Sequence, residues 1–275
     1  MRLKVFYIIL AAYLLVPAIT VNCQQPGEEE ILLKLFSGIL DTNNNEERVR
    51  LNDSIVKIID KYIESEMVLN HRFVDLRYLG QILSPDSRLK IITWNLVMTD
   101  GTNKYFCYLV RKGNRGKPNQ IFKLAGANMD DPPRTDKIYS PEDWYGALYY
   151  AVQPFRHKRE TFYVLLGLDY TNLLISTKII DVLAFTDDGG IIFGKDCFIR
   201  GDDIKHRELL SYSADGITTL RFNNKKSIIF DHLVPVSQVR PESPGFYVPE
   251  FSFDAYVLKK GIWKFEENIE PTIRK

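Results

Sequence analysis

The chain has 275 residues, 45% of them hydrophobic and 12% aromatic, with 36 basic side chains against 35 acidic ones. That much apolar material can close a core, which excludes a disordered, collagen-like or low-complexity protein. A formal net charge of +1 gives no bulk attraction to nucleic acid or to an anionic membrane.

The first segment reads as an export signal. Arg2 and Lys4 precede an uncharged apolar run from Val5 to Val21, the order found in a secretory signal peptide. The run is marginal for a membrane span, which takes about 20 apolar residues. Pro17 and the polar Asn22-Cys23-Gln24-Gln25 suit a processing site better than a stop-transfer anchor. Residues 1–23 are therefore expected to be removed, with Val21 and Cys23 three and one before the cut. The alternative is a lipoprotein acylated at Cys23, although Asn22 stands where a lipobox has a small residue. Both readings place the protein in the periplasm or outside the cell, with no transmembrane span in the mature chain. Loss of Arg2 and Lys4 leaves 34 of the 36 basic side chains, against 35 acids. Cys107 and Cys197 are then the remaining cysteines, in apolar strand-like contexts that favour two buried free thiols over a disulfide.

Residues 24–70 read as a helical segment. Ile31, Leu32, Leu35, Phe36 and Ile39 fall at helical spacing, with Glu28, Glu29 and Glu30 at the positive end of the dipole. Asn43-Asn44-Asn45 interrupts, and one of these residues can cap a second helix running to about Met67. Leu51, Ile55, Ile58, Ile59, Tyr62 and Ile63 form its apolar stripe, so both helices must pack on each other and on a sheet.

Residues 71–275 read as an antiparallel β-rich domain. From Leu83 onward, short runs of Ile, Val, Phe, Tyr and Thr are bounded by turn residues. Strands are expected at 89–98, 104–110, 120–124, 147–155, 161–168, 175–185 and 191–198. Further strands are expected at 209–213, 217–222, 227–232, 253–258 and 262–265. Asp100-Gly101, Asp188-Gly189, Asp215-Gly216, Asn223-Asn224 and Lys260-Gly261 supply turn residues that tolerate positive φ. Ser140-Pro141-Glu142-Asp143 predicts one helical turn. Phe162 to Leu166 is apolar on both faces, as in a central strand. The fold class is mainly β (α+β): an antiparallel multi-stranded sheet, barrel- or sandwich-like, with two N-terminal helices packed on it.

Chemistry is harder to find. The sequence has no G-x-S-x-G, H-E-x-x-H, C-x-x-C, EF-hand or G-x-G-x-x-G motif, and Gly113 to Pro118 lacks the spacing of a phosphate loop. Asp130-Asp131, Asp187-Asp188 and Asp202-Asp203 read as solvated turn acids, since calcium needs about six to eight converging oxygens. The basic clusters at Arg156 to Arg159 and Arg111 to Lys117 read as solvated loops, and export argues against a nucleic-acid partner. No cofactor or metal is implied. Trp94, Trp144 and Trp263 are read mainly as core, with a glycan-stacking face as the alternative.

Of the four histidines, His232 alone lies in a dense apolar context, Ile228 to Pro235. Asp231-His232 is the candidate site, where a rigid strand leaves the core and Pro235 ends its ladder; the competing reading is a structural pair that ties down the following loop through backbone hydrogen bonds. Neighbours on a strand face opposite ways, so Asp231 does not orient His232 and an acid must come from another strand. Asp169 and Asp181 are the main candidates, with Asp254 a third.

Several phrases resemble a family of uncharacterised exported bacterial proteins. They are Leu83 to Asp86 with Leu89 to Trp94, Tyr163 to Asp169, Lys178 to Leu183, Ile228 to Pro235, and Phe246-Tyr247-Val248-Pro249. The likeness spans about residues 75 to 265 and implies export and a shared β-rich domain, with no catalytic residue to carry over. This chain has Leu168 before Asp169 and Glu250-Phe251 after Pro249, where the family pattern has Trp and Asp-Gly. The expected function is a non-catalytic binding or cell-envelope role, with a glycan or envelope protein as partner. The alternative is a secreted or periplasmic hydrolase acting on glycan through paired carboxylates.

Overall fold

The computed structural model describes residues 27–114, 116–126, 132–235 and 247–270. Residues 1–23, including the cleavage or acylation position at Cys23, lie outside the described residues. Two helices open the described chain, α1 (Gly27–Asp41) and α2 (Asn45–Ile63). Asn44 caps α2, its Oδ1 accepting from the Glu46 and Glu47 amides at 2.8 and 3.3 Å. α2 stops short of Met67, and residues 64–70 form turns instead.

Fifteen strands follow among the described residues. They are β1 (Gly80–Leu83), β2 (Leu89–Val97), β3 (Asn103–Arg111), β4 (Gln120–Ala125), β5 (Leu148–His157), β6 (Glu160–Asp169), β7 (Ile175–Phe185) and β8 (Ile191–Phe193). Then come β9 (Phe198–Arg200), β10 (Asp203–Lys205), β11 (Glu208–Ser213), β12 (Leu220–Asn224), β13 (Ser227–Pro235), β14 (Tyr247–Lys259) and β15 (Ile262–Ile269). A 3-10 turn at Pro141–Asp143 precedes β5, with the expected capping box from Ser140 and Asp143.

The strands form three open sheets. The first has the order β1-β2-β3-β4, the central one β11-β7-β6-β5, and the third β10-β9-β15-β14-β13-β12. β8 continues the β11 edge of β7. No sheet closes on itself among the described residues, so the architecture is sandwich-like rather than a barrel.

Alternation along the strands fixes the layers. On β2, Ile92, Trp94 and Leu96 pack under Phe36, Ile55, Ile59 and Tyr62 of the helices, and Leu89 and Ile91 pack on the central sheet. Trp94 also donates through Nε1 to the buried Asn52 of α2 at 2.9 Å. The central sheet is covered on both faces, which is why Phe162 to Leu166 carries no polar alternation. Leu165 and Ile179 face the first sheet, while Val164, Leu166, Ile180 and Val182 face Ile228, Phe230, Tyr256 and Trp263 of the third.

Three expectations are corrected. The run 191–198 is two strands in two sheets, because Gly194 turns the chain out of the central sheet at φ +102°. A Cβ there would lie 2.6 Å from an Arg207 guanidinium nitrogen, so glycine also makes room for that side chain. The sheet is not wholly antiparallel: β9 enters the third sheet parallel to β15. β1 and β10 were not expected, being short and lacking a β-branched run. Cys107 and Cys197 are buried free thiols in cores on opposite faces of the central sheet, and burial pushes both thiol pKa values up.

Candidate functional site

The end of β13 departs from the regular ladder. Asp231 pairs with Phe253 and Leu233 with Pro249, so three residues of β14 bulge opposite His232. A second irregularity lies between Phe253 and Ala255 on the β15 side, opposite Asn268 at φ +52°. Bulges re-aim side chains that regular pairing would hold flat in the sheet. Here two of them, on adjacent strands, flank one contact: His232 Nδ1 to Asp254 Oδ2, 2.8 Å. The contact is geometrically accessible because Asp254 is the cross-strand partner of Phe230, so His232 lies on the same face, one diagonal step away.

Asp254 is the buried member of the pair, with 4% of its side chain exposed against 29% for His232. Its other oxygen accepts from the Asn268 amide at 3.3 Å. The left-handed Asn268 therefore positions the carboxylate that positions the imidazole. With Nδ1 committed to Asp254, Nε2 makes no hydrogen bond among the described residues and is available to a ligand.

A pocket of about 280 Å³ opens at this point, between the β11 edge of the central sheet and the third sheet. Leu209, Leu210, Phe230 and Leu233 supply its apolar lining, and Arg200, Glu208 and Asp231 its other charges. Glu208 is held by Lys205 Nζ at 2.9 and 3.2 Å and by the Tyr256 hydroxyl. Burial raises the Tyr256 pKa, and the adjacent Glu208 charge raises it further. The Arg200 guanidinium lies 4.0 Å from the Phe265 ring centroid.

Of the other predicted acids, Asp231 also lines this pocket without meeting His232, and Asp181 and Asp169 lie away from it. Asp231 accepts from the Thr219 amide at 2.7 Å and anchors the chain entering β12, on the face opposite His232. Asp181 is fully buried between the first and central sheets, 3.1 Å from Arg207 and 2.6 Å from the Tyr145 hydroxyl. Asp169 accepts from the Thr171 hydroxyl at 3.2 Å at the opposite end of β6 from the β5 hairpin. Asp254, the third candidate, is the acid that reaches His232. Glu208 and Arg200 were not singled out from the sequence; a Glu directly before the expected strand 209–213 was the available signal.

The tryptophans Trp94, Trp144 and Trp263 are at most 1% exposed and present no face to a glycan. Asp188 accepts from Thr186 Oγ1 and the Gly190 amide inside its own turn, and Asp130-Asp131 lie outside the described residues. Among the described residues no three His, Cys, Asp or Glu side chains converge on a metal position, and no helix is long and apolar enough to cross a membrane. Comparison with family models, curated proteins and solved structures returns no match.

Proposed function

We propose that this chain is an exported binding protein that takes a small polar ligand against His232. The observation carrying the reading is the pair of bulges that turns His232 and Asp254 toward each other over a pocket. An imidazole with one nitrogen fixed by a buried carboxylate is a preorganised hydrogen-bonding group, and its orientation costs nothing further when ligand arrives. No Ser, Thr or Cys is hydrogen-bonded to His232 among the described residues, so the arrangement offers recognition rather than an activated nucleophile.

A second reading, glycan hydrolysis, is favoured by one observation: three acidic residues, Glu208, Asp231 and Asp254, line the same pocket. All three are already engaged, Asp254 by His232, Glu208 by Lys205 and Tyr256, and Asp231 by the Thr219 amide. A general acid for glycoside cleavage would have to leave such contacts.

The test is a thermal-shift screen of mono- and oligosaccharides and small organic acids against wild type and His232→Ala. At 100-fold excess over Kd a ligand adds about 2.7 kcal/mol of stability, a shift of several degrees for a chain of this size. At least one compound is expected to shift the wild type and not the variant. Equal shifts in both, or none in either, would reject the reading; release of reducing sugar, lost in Glu208→Gln, would replace it with the hydrolase.

Export belongs to the same proposal and is supported by Arg2, Lys4 and the apolar run to Val21. Intact mass of protein from its native host should begin just after Cys23. An added acyl mass on Cys23 would instead identify a lipoprotein, and an intact Met1 in cytoplasmic protein would end the export reading.

A further inference from the structure

A second cavity, of about 570 Å³, opens where the C-terminal half of α1 meets the β2–β3 and β6–β7 turns. Phe36, Ile39 and Leu40 of α1 form one wall, and Val97, Leu148 and Leu173 contribute from the sheets and turns. Its size lies within the range of small-molecule sites, about 300–1,000 Å³. The rim is unusually apolar for a soluble surface: Leu173 is 76% exposed, and Leu40 and Tyr78 are each about half exposed. The polar groups deeper in the cleft mostly satisfy one another. Asn95 donates to Asn103 at 2.6 Å, and Asn103 donates to the Gly101 and Tyr170 carbonyls at 3.3 and 3.1 Å. Asn172 accepts from the Leu174 and Ile175 amides.

Arg77 differs from these. It is exposed and lines the cleft, its guanidinium makes no ion pair or hydrogen bond, and no other charged side chain lines the cleft among the described residues. An apolar trough with one uncommitted guanidinium at its mouth matches a ligand with an apolar body and one planar anionic end. We propose that this cleft binds an aliphatic carboxylate, its chain between Phe36, Ile39 and Leu148 and its carboxylate on Arg77. The site is separate from the His232 pocket and stands or falls independently of it.

The experiment is calorimetric titration of the purified protein with octanoate, decanoate and dodecanoate below their micellar concentrations, and with decanol as the uncharged counterpart. Each added methylene that enters the cleft should tighten binding about fourfold. Arg77→Gln should weaken the carboxylates about tenfold or more and leave decanol unchanged. Leu173→Ser should weaken both ligand types, and His232→Ala neither. Arg77 and Leu173 are exposed, so neither substitution threatens the fold. Absence of saturable carboxylate binding, or binding indifferent to Arg77→Gln, would overturn the proposal. So would sedimentation with phosphatidylcholine vesicles in the absence of carboxylate binding, which would make the exposed leucines a membrane contact.

Discussion

Replacing Arg207 by alanine is expected to lower the free energy of unfolding by about 3–5 kcal/mol. Arg207 and Asp181 are both fully buried and pair at 3.1 Å. Burial opposes the guanidinium charge, but the Asp181 carboxylate, Tyr145 and Tyr139 together offset it and raise the Arg207 pKa above its ordinary value. The guanidinium also donates to the Phe193 carbonyl at 3.1 Å, the Lys137 carbonyl at 2.7 Å and the Arg134 carbonyl. It stacks 4.6 Å from the Tyr139 ring centroid and 5.3 Å from that of Tyr145. One side chain thus ties the residues before the 3-10 turn to β7 and β8. Alanine would strand the Asp181 carboxylate, three carbonyls and a cavity in a dry site. Lysine should not rescue the loss, because a single ammonium cannot reproduce the guanidinium fork. Urea unfolding checks this: a loss under about 1 kcal/mol for Arg207→Ala would show that water reaches Asp181. The double variant Asp181→Leu with Arg207→Met should recover much of the loss, since burial of an ion pair is itself costly.

The second large effect is a pH dependence. Lys90 is 3% exposed on β2, facing the helices. Its ammonium donates to the Tyr62 hydroxyl at 2.7 Å and to the Val68 and His71 carbonyls at 2.7 and 2.5 Å. No carboxylate pairs with it among the described residues. Burial, helped by repulsion from Arg72, lowers its pKa from 10.5 to about 8. Between these values the unfolded chain holds the proton and the folded chain does not, so stability contributed by Lys90 rises with pH. Below about pH 8 the full penalty is present; toward 10.5 it disappears. At about 1.4 kcal/mol per pKa unit, the ceiling on this gain is about 3 kcal/mol. Lys178, also lowered by burial, adds in the same direction. The buried Cys107, Cys197 and Tyr62, all raised by burial, oppose it, because their unfolded forms ionise first. Comparison with Lys90→Met cancels those contributions. The wild type should gain on Lys90→Met between pH 8 and 10; parallel curves would mean that the three acceptors fully stabilise the charge.

The candidate site was half legible. His232 stands out because Asp231-His232 lies between Ile228-Ile229-Phe230 and Leu233-Val234, and the alternation that puts Asp231 on the other face is a local rule. Its partner was not legible. Asp169, Asp181 and Asp254 each follow or interrupt an apolar strand segment, and nothing in those segments says which strand lies beside β13. Cross-strand register decides it, by pairing Phe230 with Asp254 and then breaking the ladder on both sides. Arg207 was equally silent: a lone arginine between His206 and Glu208 reads as surface. Only the approach of Gly194, Asp181 and three carbonyls makes it a buried hub.

What the sequence determined by itself was everything that depends on near neighbours. The apolar stripe of Leu32, Phe36 and Ile39 and the Asn44 cap make helices wherever they are placed. The period-two runs bounded by Gly and Asn make strands, and the doubly apolar Phe162 to Leu166 makes a strand that must be covered on both faces. The tertiary structure decided what depends on distant neighbours: that the sheets stack with the β5–β7 sheet in the middle, that β9 leaves β8 to run parallel to β15, and which charges meet inside. Side-chain periodicity is a property of one segment, whereas pairing and burial are properties of two. An apolar face records that it needs a partner without recording which one, and a buried charge records even less, since its compensation is assembled from carbonyls and side chains scattered along the chain.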